Sequence, residues 1–165
     1  MKYGYLDICE ILYYNNDNQY WEIIVSKNET QIILIEFNDF GEYNGYLFRG
    51  VKDIDGIFHS GKMLEFIRKI IDYASIPYLT LRNKNDFIEM AMENNRVLGI
   101  ARKSFPSGEI ENIKVLKFDN NILTYRVYSQ CGILYNKICN AKINDIVLLQ
   151  IDAKHQRLIE KVRKE

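Results

Sequence analysis

Residues 53–57 read Asp53-Ile54-Asp55-Gly56-Ile57, and residues 145–149 read Asp145-Ile146-Val147-Leu148-Leu149. The second stretch follows the first by 92 residues and repeats both its Asp-Ile pair and its closing apolar residue. The same offset relates three further groups: Asn28 and Asn120 in polar turns; Ile33 and Ile35 with Tyr125 and Val127; and Phe66, Ile67 and Ile70 with Leu158, Ile159 and Val162. A repeat of this kind predicts two similar structural units in the chain.

Short apolar and β-branched runs between turn residues predict five strands in each half. The predicted strands cover residues 4–14, 20–26, 31–37, 46–49 and 54–58, and then 97–101, 113–118, 122–128, 133–139 and 146–151. Helical spacing predicts helices over 62–73 and 154–164, the first with Met63, Phe66, Ile67, Ile70 and Ile71 on one apolar face. Between them, a helix capped by Asn85 or Asp86 is expected to run through Glu93. The pair Asn44-Gly45 is a strong hairpin signal, because both residue types tolerate positive φ.

One stretch resembles a known family. Residues 47–57, which read Leu47-Phe48-Arg49-Gly50-Val51-Lys52-Asp53-Ile54-Asp55-Gly56-Ile57, resemble the second signature of the Sm family, an apolar pair followed by Arg-Gly and alternating apolar residues. The hairpin from Trp21 to Phe37 resembles the first signature. Asn28 stands near the family's turn Asp, and Ile32 or Ile33 near the Asn that lines its RNA site; in the second half Asn136-Lys137 occupies the Arg-Gly region. The resemblance implies a barrel fold and, more weakly, RNA binding.

The predicted fold is mainly β with helices (α+β), built as two tandem Sm-like, SH3-type small β-barrels that are each followed by a helix. Five short, strongly bent strands around a small apolar core are typical of a small barrel rather than an extended sheet. We expect barrel 1 and its helix over residues 1–73, a linker with a short strand (78–81) and a helix over 74–95, and barrel 2 with its helix over 96–165.

Composition and charge restrict the classes of function. The chain is 47% hydrophobic with 12 Tyr and 8 Phe, which argues against disorder. It has no apolar run long enough for a membrane helix and no apolar core of a signal peptide after Met1, so we expect a cytoplasmic protein without a membrane partner. Residues 1–83 carry 8 Lys/Arg and 12 Asp/Glu (net −4), and residues 84–165 carry 14 and 10 (net +4). This split favours a homo-oligomer formed through barrel edges or through contacts between opposite halves, although drift on solvated surfaces explains it equally well.

Few residues suggest catalysis or metal binding. Cys9, Cys131 and Cys139 have no C-x-x-C spacing, and neither His59 nor His155 has ligands nearby in sequence, so we expect no metal, cofactor or catalytic residue. Asp53 and Asp55 are suited to acid–base chemistry or to holding a cation, but a solvated bend explains the two carboxylates more simply.

Two groups of residues are candidates for ligand binding. Tyr43, Tyr46, Phe48 and Arg49 combine aromatic rings with a fixed cation near predicted loop tips, a set suited to stacking a base and contacting phosphate, and Asp53 completes it. Core packing is the alternative for Tyr46 and Phe48. Lys154, Arg157 and Lys161 are candidate nucleic-acid contacts, with a solvated helix face as the alternative.

These observations predict a non-catalytic binding or assembly module, with RNA or a nucleotide as its ligand. The alternative is a protein-interaction factor, such as an inhibitor, an immunity protein or a scaffold, that has no nucleic-acid ligand. An enzyme is not expected.

Overall fold

The computed structural model describes residues 8–14, 16–104 and 109–163. The chain divides into two compact units: unit 1 covers residues 1–82 and unit 2 covers residues 83–165, with the division inside the predicted linker. Residues 4–7 of the predicted first strand and Lys164 of the predicted last helix lie outside the described residues. Among the helices within the described ranges, none combines the length and apolar character needed to cross a membrane.

The described residues of unit 1 form five strands and one α-helix. They are β1 (Ile8–Tyr13), β2 (Asn16–Lys27), β3 (Gln31–Phe37), β4 (Tyr43–Gly50), β5 (Ile54–Phe58) and α1 (Lys62–Ile70). The strands lie in the order β5-β1-β2-β3-β4 within an antiparallel sheet, and a single 3-10 turn, Val51–Asp53, joins the last two strands in sequence. The buried residues of these strands are largely Ile, Leu and aromatic residues, including Trp21, Tyr46 and Phe48.

In unit 2, the part of the chain that the structure describes forms two α-helices and five strands. They are α2 (Lys84–Glu93), β6 (Leu98–Arg102), β7 (Glu111–Asp119), β8 (Ile122–Tyr128), β9 (Leu134–Lys142), β10 (Ile146–Ile151) and α3 (Lys154–Val162). The strand order is β10-β6-β7-β8-β9, which is the order of unit 1, and a 3-10 turn, Ile143–Asp145, again precedes the last strand. The cap of α2 is Asn83 and not the predicted Asn85 or Asp86: the Asn83 side chain accepts hydrogen bonds from the backbone N–H groups of those two residues.

The prediction of two small barrels, each followed by a helix, is wrong. The strands belong to an open antiparallel sheet, in which the end strands β4 and β5 of unit 1 are not neighbours, nor are the end strands β9 and β10 of unit 2. Closure requires a matched tilt and stagger of the strands. Short strands at regular turn spacing are common to open and closed sheets, so the sequence pattern carries no information about closure.

The pairing register shows which residues of the two units are equivalent. Ile54 and Ile146 are equivalent positions in the repeat. Tyr13 pairs with Ile54, and Arg102 pairs with Ile146, so Tyr13 and Arg102 are also equivalent and the first strands of the two units are related by an offset of 89 residues. The second and third strands are related by 91, and both strand pairs carry an irregularity at the matching place, between Ile24 and Ser26 and between Val115 and Lys117. The offset of 92 residues therefore holds from the fourth strand onward. The first three strands have smaller offsets, because the connections between strands are slightly shorter in unit 1 than in unit 2.

Three local predictions also require correction. Asn44 and Gly45 lie inside β4, and the turn falls instead at residues 38–41, where the side chain of Asn38 accepts from the backbone N–H of Phe40 and Glu42. Residues 78–81 are not a strand. The buried residues of α1 are Leu64 and Ile67, whereas the predicted inward residues Met63, Phe66 and Ile70 are exposed.

Candidate functional site

The predicted ligand residues of unit 1 lie near one another but differ in exposure. Tyr46 and Phe48 are buried, and the Tyr46 hydroxyl donates to the Pro77 carbonyl at 2.7 Å. Tyr43 is half-buried with its ring edge-on to Tyr46, at a centroid distance of 6.1 Å. Asp53 is also half-buried, in the 3-10 turn that follows β4. Tyr46 and Phe48 therefore pack in the interior, as the alternative interpretation of the sequence proposed.

Arg49 belongs to a polar cluster inside unit 1. Its guanidinium carbon lies 4.0 Å above the centre of the Tyr13 ring, a cation–π arrangement. The Tyr13 hydroxyl lies 2.7 and 2.9 Å from the two carboxylate oxygens of Glu22, a fully buried residue. Glu36 stands directly opposite Glu22 on the neighbouring strand, which brings a second carboxylate to the group. We call Tyr13, Glu22, Glu36 and Arg49 the unit 1 cluster.

Burial controls the ionisation of this cluster. The pKa of Glu22 is raised to about 8: removal from water is the main cause and the charge of Glu36 adds to it, while the hydrogen bond from Tyr13 and the charge of Arg49 act in the opposite direction. Burial, followed by the Glu22 charge, raises the pKa of the Tyr13 hydroxyl well above its ordinary value. Near neutral pH the cluster is therefore a buried, largely neutral Tyr-Glu pair beneath an arginine.

The same positions in unit 2 carry different chemistry. The pairing register places Arg102 at the position of Tyr13, Ile113 at that of Glu22, Val127 at that of Glu36 and Ala141 at that of Arg49. The buried carboxylate is thus replaced by an apolar residue, and the long arginine by a side chain that ends at its β-carbon. Space filled by Arg49 in unit 1 is not filled from this position in unit 2.

A pocket of about 550 Å³ lies at this place in unit 2. Its lining comes from the end of β6, the start of β8, and the end of β9 with the following turn; the residues are Arg102, Lys103, Ser104, Ile122, Asn140, Ala141, Lys142 and Asp145. Three of these side chains are cations and one is a carboxylate. Asn140, Ala141 and Asp145 are the equivalents of Phe48, Arg49 and Asp53, so the predicted ligand position reappears in unit 2 as an open site.

Backbone contacts and one lysine fix the wall of the pocket. The Lys103 N–H donates to the Asp145 carbonyl at 2.9 Å, as the Tyr14 N–H donates to the Asp53 carbonyl in unit 1. The ammonium of Lys84, at the start of α2, donates to the carbonyls of Ile143 at 3.1 Å and Ile146 at 2.5 Å. These bonds hold both ends of the 3-10 turn that carries Asp145, so the lining is positioned before any ligand arrives.

The pocket lies in a positive environment. Burial lowers the pKa of Lys84, and the nearby charge of Lys103 lowers it further. Arg102 is 3.6 Å from the carboxylate of Glu111, which also accepts from the Tyr125 hydroxyl at 3.5 Å. Lys103 and Lys142 are both exposed at the pocket. An excess of positive charge in a concave site favours an anionic ligand.

The candidate nucleic-acid residues of α3 do not form one set. Lys154 and Lys161 are exposed, but Arg157 is half-buried and directs its guanidinium at the carbonyl and carboxylate of Asp152. Within the described ranges, His, Cys, Asp and Glu side chains form no group of three that is suited to a metal ion. Of the three thiols, that of Cys9 is buried and donates to the Glu22 carbonyl at 3.2 Å, and that of Cys131 is exposed.

Glu22 and the pocket residues were not among the site residues predicted from the sequence. Glu22 carried a signal, since it is the one charge in the otherwise apolar run from Trp21 to Val25. The pocket carried two signals: the basic excess of residues 84–165, and the small side chains at Asn140-Ala141. The sequence pattern placed the Arg-Gly region of the second half at Asn136-Lys137, whereas the register places it at Ala141-Lys142.

Comparisons with models of protein families, with curated proteins and with solved structures find no match for this chain. The resemblance to Sm signatures therefore stays a prediction from the sequence.

Proposed function

We propose that the chain is a non-catalytic binding module whose ligand is a nucleotide, either free or at the end of an RNA. The observation that carries this proposal is the pocket in unit 2 with Arg102, Lys103 and Lys142 in its lining. The proposed ligand is of the class predicted from the sequence, but the proposed site is the pocket of unit 2 in place of the predicted residues of unit 1.

Size and chemistry support a phosphate-bearing ligand. A pocket of about 550 Å³ lies in the range of small-molecule sites and accommodates one nucleotide. Guanidinium and ammonium groups are the side chains that proteins use most for phosphate. Ser104 and Asn140 add hydrogen-bonding groups, and Ile122 offers an apolar surface for a base.

Charge reversal at Lys142 tests the proposal by calorimetric titration with ATP and with a short oligouridylate. We expect Lys142→Glu to weaken binding at least about tenfold, equal to roughly 1.4 kcal/mol, because it replaces a pocket cation with a repelling carboxylate. Salt weakens binding to the native chain as well, as expected for phosphate contacts.

Lys137→Glu is the matched control, because Lys137 is exposed on the same strand but does not line the pocket. The two variants have the same net charge, so a general electrostatic effect alters both equally. Equal loss in both variants, or no binding of either probe to the native chain, contradicts the proposal. Preference for the oligonucleotide over ATP identifies the ligand as an RNA end.

A protein-interaction factor is the second candidate function. Strand β9 ends the strand series of unit 2, and Tyr135 and Ile138 on it are 52% and 59% exposed. An exposed strand edge with apolar side chains is suited to pairing with another chain. Homo-oligomer formation through this edge is part of this candidate, and native mass spectrometry of the purified protein tests it: a monomer at every concentration argues against self-association.

A further inference from the structure

We propose that Asp145 makes the pocket of unit 2 selective for ribonucleotides, because its carboxylate accepts hydrogen bonds from the 2′ and 3′ hydroxyls of the bound sugar. This inference rests on the proposed function, since it names which nucleotides the same pocket takes. Among the described residues that line the pocket, Asp145 is the one with an acidic side chain, while Arg102, Lys103 and Lys142 are basic.

The two kinds of charge in the pocket suit different parts of a nucleotide. Phosphate oxygens are anionic, so they bind the guanidinium and ammonium groups and are repelled by Asp145. An ionised carboxylate only accepts hydrogen bonds, so its partner must be a donor. The hydroxyls of ribose are donors, and the sugar is bonded directly to the phosphate, so it is the donor-bearing part of the ligand nearest to the cations. The carboxylate therefore fits the sugar better than any other part of the nucleotide.

The equivalent aspartate of unit 1 lies in a different setting. Asp53 is half-buried, and a β-carbon at Gly50 would stand 3.2 Å from its carboxylate oxygen Oδ2. The register places Lys142 at the position of Gly50, so this β-carbon is present in unit 2. The carboxylate of Asp145 cannot lie as close to the strand as that of Asp53 without crowding this atom. Asp145 is accordingly exposed and belongs to the lining of the pocket.

The carboxylate of Asp145 retains its capacity to accept hydrogen bonds. With the residues that the structure describes, it forms neither a hydrogen bond nor an ion pair. Other aspartates of unit 2 are engaged: Asp119 pairs with Lys117 at 3.1 Å, and Asp152 pairs with Arg96. A ligand therefore need not break an existing contact in order to bind Asp145.

The backbone holds Asp145 in place independently of its side chain. The Lys103 N–H donates to the Asp145 carbonyl at 2.9 Å, and the Lys84 ammonium donates to the carbonyls of Ile143 and Ile146 on either side. An acceptor that is fixed in advance loses less entropy when the ligand binds. Because none of these bonds uses the carboxylate, substitution of the side chain leaves the supports of the turn intact.

Exposure sets the size of the expected preference. A closed site that leaves a polar group without its partner rejects an analogue lacking one hydroxyl by about 10⁴-fold or more. Asp145 is exposed, so water solvates its carboxylate when the hydroxyl is missing. We therefore expect a preference for ribose of about tenfold, which corresponds to one charge-assisted hydrogen bond in contact with water.

The test is calorimetric titration of the whole chain with ATP, 2′-deoxyATP and 2′,3′-dideoxyATP, which differ only in their sugar hydroxyls. We expect the native chain to bind ATP about tenfold more tightly than the dideoxy compound, with 2′-deoxyATP between them. In Asp145→Ala the three affinities should become equal. The ratio of affinities is the readout, because the loss of a negative charge or a shift of the turn alters the binding of all three compounds alike. If only the oligouridylate binds, its deoxy counterpart takes the place of the deoxy compounds.

Two further variants separate the carboxylate from its charge. Asp119→Ala removes the same charge from strand β7, and Asp119 does not line the pocket, so this matched control should keep the native ratio. Asp145→Asn keeps one oxygen that accepts a weaker, neutral hydrogen bond, so it should retain part of the preference. Circular dichroism and urea unfolding confirm that each variant is folded.

The outcomes distinguish this inference from the proposed function. Equal binding of ATP and the dideoxy compound by the native chain overturns the inference and leaves the proposed function standing. A preference for ribose that persists in Asp145→Ala shows that another group contacts the sugar, and a preference for GTP over ATP that Asp145→Ala abolishes shows that the carboxylate contacts the base; either result overturns the inference. If neither the nucleotides nor the oligonucleotide bind the native chain, the proposed function fails and the inference fails with it.

Discussion

The two units share one strand order but differ at one equivalent position of the fourth strand, which is Arg49 in unit 1 and Ala141 in unit 2. In unit 1, Arg49 extends over Tyr13, and Tyr13 in turn contacts the buried Glu22. In unit 2, the position of Arg49 is Ala141, and a pocket with three cations lies beside it. The same backbone pairing therefore supports either a buried polar cluster or an open pocket. The side chains at this end of the fourth strand determine which of the two forms.

The two arrangements differ in what they contribute to stability. A buried carboxylate must be removed from water, and it keeps its place only with a hydrogen-bond donor and a suitable protonation state. Unit 2 avoids this cost, because Ile113 fills the equivalent interior position with an apolar side chain. Polar residues of unit 2 lie instead in the lining of the pocket. Under the proposed function, unit 1 is the structural half of the comparison and unit 2 is the half that binds the ligand.

Removal of the Tyr13 hydroxyl should give the largest effect, because it separates the two members of a buried pair. We expect Tyr13→Phe to lower the free energy of unfolding by about 2–3 kcal/mol at a pH above 8, where Glu22 is ionised and loses its donor. The loss should be smaller at pH 6. Urea unfolding at the two pH values measures both numbers.

Tyr125→Phe in unit 2 is the matched control for that change. The Tyr125 hydroxyl also donates to a glutamate, but at 3.5 Å and to Glu111, which is only half-buried. We therefore expect a loss below about 1 kcal/mol with little dependence on pH. Equal losses in the two variants would show that burial of Glu22 does not distinguish the units.

Transfer of the unit 1 arginine into unit 2 should close the pocket. We expect Ala141→Arg to weaken nucleotide binding at least about tenfold, because the new side chain occupies the volume beside Arg102. The free energy of unfolding should fall by about 1–3 kcal/mol, because Ala141 is buried and the longer side chain must displace its neighbours. Calorimetric titration with ATP and urea unfolding measure the two quantities. Unchanged affinity would mean that the ligand binds elsewhere.

The sequence predicted most strands and helices of the described ranges but not their closure. Runs such as Gln31–Phe37 and Ile146–Ile151 were located to the residue, because alternation and flanking turns are local properties. Barrel closure depends on stagger between strands that are distant in sequence, and the periodicity contains no such information. Asn44-Gly45 misled for a related reason: Gly45 takes its positive φ inside a strand.

The sequence placed the candidate site at the fourth strand and following bend of unit 1, whereas the pocket lies at the equivalent place in unit 2. Phe48, Arg49 and Asp53 drew attention because their residue types match a known signature. Their equivalents Asn140, Ala141 and Asp145 line the pocket together with Arg102 and Lys103, which come from the end of another strand. The strand register determines which side chains come together in the pocket. The offset between the two units is not uniform over the first three strands, so a constant offset of 92 residues does not identify their equivalent residues.

The pH dependence of stability provides the finest distinction between the units. The pKa of Glu22 is raised to about 8 in the folded chain, so between its unfolded value and pH 8 the folded state holds a proton that the unfolded state has lost. This contribution to stability is fully present below the unfolded pKa and is lost as the pH rises through about 8. We expect the free energy of unfolding to fall by about 1 kcal/mol or more from pH 6 to pH 9.

Glu22→Gln keeps the shape of the side chain but removes its titration, so it should flatten this dependence of the free energy of unfolding on pH. Glu111→Gln, at the pocket side of unit 2, should leave the dependence unchanged. Equal slopes in the native chain and Glu22→Gln would show that Glu22 is already ionised in the folded state.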